Sequence, residues 1–166
     1  MIRSTFAVMI ALFAVTVSAQ NTTQIVGQVE SKCVVTTDRA GVYGNPTPDK
    51  LTTVAADGGV RPVVRYDVVL ADAYRAVISH PNSFSQSPGL VDTLFWTGQT
   101  AVEAVSDPLM SDYDNTKIEY DNVTEIDLTF TGSTWFNVES EVVYGVNKSL
   151  PGGTYTAVVE ASCIAK

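Results

Sequence analysis

Val142-Val143-Tyr144-Gly145, followed after a short gap by Leu150-Pro151-Gly152-Gly153-Thr154-Tyr155-Thr156-Ala157-Val158-Val159-Glu160-Ala161-Ser162-Cys163, is the stretch whose reading decides the fold. Valine, threonine and tyrosine fit a pleated, half-buried surface, and Pro-Gly-Gly supplies turn chemistry. Two such runs around that turn predict a closing β-hairpin. The second run ends in Cys163, one of only 2 cysteines in the chain. The other, Cys33, stands near the opposite end, so a bond between them would tie the two ends of the fold together.

Working outward, residues 1–19 read as a secretory leader rather than as fold. Arg3 is a short basic region, Phe6 to Val17 is almost wholly apolar, and Val17-Ser18-Ala19 is a small-residue cleavage site. The apolar run falls short of the roughly 20 residues that cross a bilayer, so no membrane insertion is expected after cleavage. Removing it leaves 166 − 19 = 147 residues, enough for one domain with its own core. Loss of Arg3 takes the net charge from −8 to −9, which argues against nucleic acid as a partner, since phosphate binding needs a basic surface. Two cysteines in an oxidising compartment predict one disulfide, Cys33–Cys163. Closing so long a loop contributes about 4–5 kcal/mol in the chain-entropy account.

Short strands punctuated by turns fill the rest. Residues 20–32 open polar and then place Ile25, Gly27, Val29 and Ser31 on one face of a strand, which Cys33–Thr37 continues or restarts. Asp38–Asp49 reads as loop with a brief pairing at Val42-Tyr43. Leu51–Ala55 reads as a short strand stopped at a hairpin turn, Asp57-Gly58-Gly59. Val60–Ile78 is the longest β-favouring segment, with Val64, Tyr66, Val68 and Leu70 facing the core and a turn at Ala71-Asp72-Ala73. A helix over Val69–Val77 is the competing reading, because of its alanines. Leu90–Trp96 and Thr100–Val105 predict a hairpin about Thr97-Gly98-Gln99. Ile118–Tyr120, Glu125–Phe130 (ended by Gly132) and Trp135–Glu139 supply further strands. The sum is an all-β chain: a single immunoglobulin-like antiparallel β-sandwich with one disulfide, residues 1–19 being leader, 20–32 an N-terminal strand or extension, and 33–166 the sandwich domain.

No catalytic signature is present. There is no Gly-x-Ser-x-Gly, and the sole histidine, His80, lies in a Pro-flanked polar segment and reads as a surface residue. Two thiols and one imidazole give no zinc ligand set. The acidic run Asp107, Asp112, Asp114, Asn115 and Asp121 lacks a calcium-loop pattern and reads as a solvated loop. No catalytic residue, metal or cofactor is therefore expected. Trp96, Trp135, Tyr43 and Tyr113 are candidates for an aromatic sugar platform, with core packing as the plain alternative. Asn21, Asn122 and Asn147 each begin an Asn-x-Ser/Thr pattern.

With both ends in view, the chain resembles spore coat protein U-like domains and archaic chaperone–usher pilins. The resemblance is carried by Val143-Tyr144-Gly145, by Leu150-Pro151-Gly152-Gly153-Thr154-Tyr155-Thr156-Ala157-Val158-Val159, and by Ile25–Lys32 with Cys33-Val34-Val35 and Val42-Tyr43-Gly44. It departs from the family in having no cysteine in Val63–Asp67, the partner cysteine standing in the last strand instead. The resemblance implies a sandwich lacking one strand, whose groove takes the N-terminal strand of the next subunit. Ile25 and Val29 would be anchors and Gly27 a point of close approach. It implies a secreted structural or adhesive surface subunit, self-association into filaments, and a periplasmic chaperone as a second partner. The alternative is a monomeric secreted glycan- or protein-binding module using Trp96 or Trp135.

Overall fold

A computed structural model describes residues 32–166. The expected leader, and Ile25, Gly27 and Val29 of the expected donor strand, lie outside the described residues. Among these residues no helix is long and apolar enough to cross a membrane.

The chain is all-β, with two antiparallel sheets. Its strands are β1 (Cys33–Arg39), β2 (Gly44–Thr47), β3 (Lys50–Thr52), β4 (Val63–Val68), β5 (Tyr74–Ser79), β6 (Leu94–Val105), β7 (Ile118–Tyr120), β8 (Val123–Leu128), β9 (Gly132–Tyr144) and β10 (Glu160–Ala165), with one helical turn, α1 (Tyr113–Thr116). The first sheet runs β1-β4-β9-β3-β2, with β6 also on β9; the second runs β10-β5-β8-β7. β4 and β3 lie end to end along one edge of β9, and β6 occupies its other edge.

β9 shows why this sequence makes a sandwich. Thr134, Phe136, Val138, Ser140, Val142 and Tyr144 are buried, while Ser133, Trp135, Asn137, Glu139, Glu141 and Val143 face the other way. A period of two buries one face only. Tyr66 and Phe136 from the first sheet meet Ile78, Ile126 and Leu128 from the second in one core. Tyr66 and Phe136 pack edge to face, their rings 5.7 Å apart. Each fully buried side chain of this size contributes about 1.5–3 kcal/mol. The outer face carries ion pairs such as Arg65–Asp67 and Lys50–Glu141, with Arg65 also lying over the Trp135 ring.

Several expected turns are not turns. The run expected to break at Thr97-Gly98-Gln99 is one 12-residue strand, β6. Gly98 is there for close approach, since a Cβ would sit 2.9 Å from the Glu139 carbonyl oxygen and 3.0 Å from the His80 side chain. Asp57-Gly58-Gly59 makes no hairpin. It ends a 3₁₀ turn, Ala55–Asp57, with Gly58 at φ +80, and that turn interrupts the passage from β3 to β4. The actual reversal is at Pro48-Asp49, and part of the expected loop is strand β2. Gly132 opens β9 rather than ending β8. Over 74–79 the helix reading gives way to strand β5. Leu70 is exposed, because β4 has ended at Val68. The closing hairpin is absent too: β9 belongs to the first sheet and β10 to the second, so Pro151-Gly152-Gly153 lies in a crossing between sheets.

His80 is buried at 6 % exposure, not on the surface. Its Nε2 lies 2.8 Å from the Thr100 hydroxyl of the first sheet and 3.3 Å from that of Thr124 in the second. Burial holds its pKa below the ordinary imidazole value; Glu119 opposes that shift and Lys117 reinforces it.

Candidate functional site: an open groove between the edge strands

β1 and β10 are the edge strands of different sheets on the same side of the sandwich. β1 is paired only to β4, and β10 only to β5, among the described residues. The Cys33–Cys163 disulfide joins them, with Cα atoms 6.3 Å apart. Beside it the buried Tyr66 hydroxyl lies 3.2 Å from the Ser162 carbonyl oxygen of β10 and 3.2 Å from that of Val77 in β5. Burial pushes the Tyr66 pKa well up, so it stays a neutral donor. These contacts clamp one end.

Away from the clamp the two edges part. Between Thr37–Tyr43 on one side and Gly153–Val159 on the other lies a groove of about 610 Å³. Leu51, Pro62 and Val64 also line it, and no charged side chain does among the described residues. That is notable in a chain of net charge −8. At the far end Phe84, from the segment after β5, packs on Trp96, Tyr155 and Tyr43 at ring separations of 4.7, 5.0 and 6.4 Å.

The second wall is the Thr154–Val159 run that the sequence marked as strand. Its burial alternates as a strand's does: Tyr155, Ala157 and Val159 are half-buried, Thr154, Thr156 and Val158 exposed. Yet it belongs to no ladder. Its single bridge is Gln86–Thr156, where each residue donates its N–H to the other's carbonyl, at 2.8 and 3.2 Å. No main-chain hydrogen bond is recorded for Ala157, Val158 or Val159 among the described residues. Main-chain polar groups in folded proteins are normally paired or wet. A strand-like stretch whose backbone has no partner among the described residues, beside an open groove, is a template for another strand.

The other edges are blunted. β6 has two backbone groups taken by side chains: Val102 N–H donates to Asp114 Oδ1 at 3.0 Å, and Lys117 Nζ donates to the Thr100 carbonyl. β2 carries Pro46, and β7 is only 3 residues long. Short edges, prolines and side-chain caps are the usual protections against unwanted pairing. Among the described residues the β1–β10 edge has none of these three.

The same contacts account for the acidic segment. Asp107 Oδ1 caps the 3₁₀ turn that follows by accepting from Leu109 N–H at 2.9 Å, Asp112 Oδ1 accepts from the Asn115 side-chain amide at 2.8 Å, and Asp114 holds the β6 backbone at Val102. Among the described residues no group of three or more His, Cys, Asp or Glu is placed to hold a metal. Trp96 and Trp135 do not share a platform. Trp96 pairs across from the buried Val142 and faces inward, whereas Trp135 stands on the outer face under Arg65. In sequence the groove is implied only as the counterpart of the donor-strand residues. Its signal was the alternating run 154–159. Compared with known protein families, curated proteins and solved structures, the chain matches none.

Proposed function

We propose that the protein is a secreted structural or adhesive surface subunit, an immunoglobulin-like sandwich lacking one strand, that assembles by strand addition. Residues 20–32 of one copy fill the groove of the next. The observation that carries this reading is a groove with no charged side chain among its described lining residues, one wall of which, Ala157–Val159, makes no main-chain hydrogen bond among the described residues. The fit of the occupant rests on pattern and length. Residues 20–32 place Ile25, Gly27 and Val29 on one face, as an uncharged groove requires. A strand of roughly eight residues, at about 3.3 Å each, reaches from Cys163 to Tyr155, and the segment is longer than that.

The point of entry favours a second copy over the same chain. The Val69 N–H donates to the Lys32 carbonyl at 3.1 Å, which carries the β1–β4 ladder one residue past Cys33. The chain thus meets β1 in line with the strand and from the clamped end. To fill its own groove it would have to reverse beside the disulfide. A head-to-tail contact of this kind does not close on itself, and its product is a filament.

Deleting residues 20–32 tests the proposal. The shortened chain is expected to stay monomeric at concentrations where the mature chain forms filaments. Filaments of ordinary length from the shortened chain would refute it.

A further inference from the structure

The edge that accepts a strand in this reading is also where the two sheets share no ladder, and one covalent bond spans it. Cys33 and Cys163 close 130 residues of chain and are half-buried against the core. Beyond the bond the second wall is lightly held. From Gly153 to Val159, the main-chain bonds recorded among the described residues are those of Thr156 to Ser85 and Gln86. β10 itself has a ladder on one side only.

A groove of this kind, when no strand fills it, has two ways to remove its apolar surface from water. Its walls close on each other, or the last strand frays and the lining rearranges; both destroy the geometry that receives a strand. Elements with few partners open locally at low free-energy cost, and a cross-link between distant residues restricts such opening. The neighbouring cross-sheet tie is the single Tyr66 hydroxyl, set between the Ser162 and Val77 carbonyls.

We propose that the Cys33–Cys163 bond holds the groove in its strand-accepting form while it is empty, supplying the connection between edges that an inserted strand provides once bound. The inference rests on the strand-addition reading above. It makes assembly competence a property of the oxidised chain, and it makes the bond dispensable after the groove is filled.

The test uses a synthetic peptide of residues 20–32 and two forms of the chain lacking that segment, one oxidised and one carrying Cys33→Ser with Cys163→Ser. The oxidised form is expected to bind the peptide at least tenfold more tightly. In the empty double variant, the amides of Glu160–Ala165 are expected to exchange at least tenfold faster. Affinities within twofold of each other would overturn the inference and leave the strand-addition reading intact. No binding by the oxidised form would overturn that reading, and the inference with it. If the double variant does not fold, the oxidised chain is reduced with and without bound peptide. Survival of the fold only in the peptide-bound sample supports the inference; equal survival or equal loss contradicts it.

Discussion

The Tyr66 hydroxyl, carried by β4 in the first sheet, lies 3.2 Å from the Ser162 carbonyl oxygen of β10 in the second. It is the polar partner of the disulfide at the clamped end, set on a ring that is 0 % exposed. Tyr66→Phe keeps the packing against Phe136 and removes only the donor. A buried hydrogen bond of this kind is worth about 0.5–1.5 kcal/mol net. Urea unfolding of the variant is expected to show a loss of that size with an unchanged slope. An unchanged midpoint would mean the hydroxyl contributes nothing to joining the sheets.

His80 gives the chain a pH dependence of known sign. Its folded pKa lies below the ordinary imidazole value because the buried ring resists charging. The unfolded chain therefore binds more protons in the window between the two values. Stability is full above the ordinary value, about 6.5, and is lost as pH falls through it toward the folded value. Urea midpoints are expected to fall between pH 7.5 and pH 5.5 in the native chain, and by less in His80→Gln. A midpoint that rises on acidification over this range contradicts the assignment.

Gly98 is required by crowding. Gly98→Ala places a methyl group against the Glu139 carbonyl and the His80 side chain, and overpacking of this kind costs about 1–3 kcal/mol. Gly152→Ala is the control, since nothing lies within 4 Å of its added Cβ. Thermal unfolding is expected to show a lower Tm for the first and little change for the second. Equal effects would remove the close-approach explanation of β6.

A charge in the groove tests its chemistry without touching the clamp. Ala157 lines the groove wall and is half-buried. Ala157→Asp is expected to weaken binding of the 20–32 peptide at least tenfold, because an inserted strand would desolvate the carboxylate. Its stability should change by less than about 1 kcal/mol, as at other partly exposed sites. Unchanged peptide affinity would place the occupant elsewhere.

What the sequence made legible was strand content, the disulfide and the inward faces. The alternation expected in Val64–Leu70 and Glu125–Phe130 reports burial on one face, which is a local property, and the structure buries that face at Val64, Tyr66 and Val68 and at Ile126 and Leu128. What it concealed was which sheet each strand joins. Gly98, Gly58 and the pair Gly152-Gly153 look alike in sequence, yet the first serves close packing, the second caps a 3₁₀ turn, and the third lies in a sheet-to-sheet crossing. His80 looked exposed because its neighbours are polar; its burial comes from Thr100 and Thr124, which are distant in sequence. The groove was visible as a well-patterned run, Thr154–Val159, and as the counterpart that the donor-strand residues imply; that the run has no ladder among the described residues is a fact of tertiary structure.

The most direct measurement is amide exchange at Ala157, Val158 and Val159 in the chain lacking residues 20–32, with and without the 20–32 peptide. Among the described residues these three have no main-chain hydrogen-bond partner. Strand addition pairs alternate backbone groups along the receiving edge, so exchange at one or more of them is expected to slow at least tenfold when the peptide binds. Peptide binding that leaves all three amides exchanging at their original rates would contradict the account.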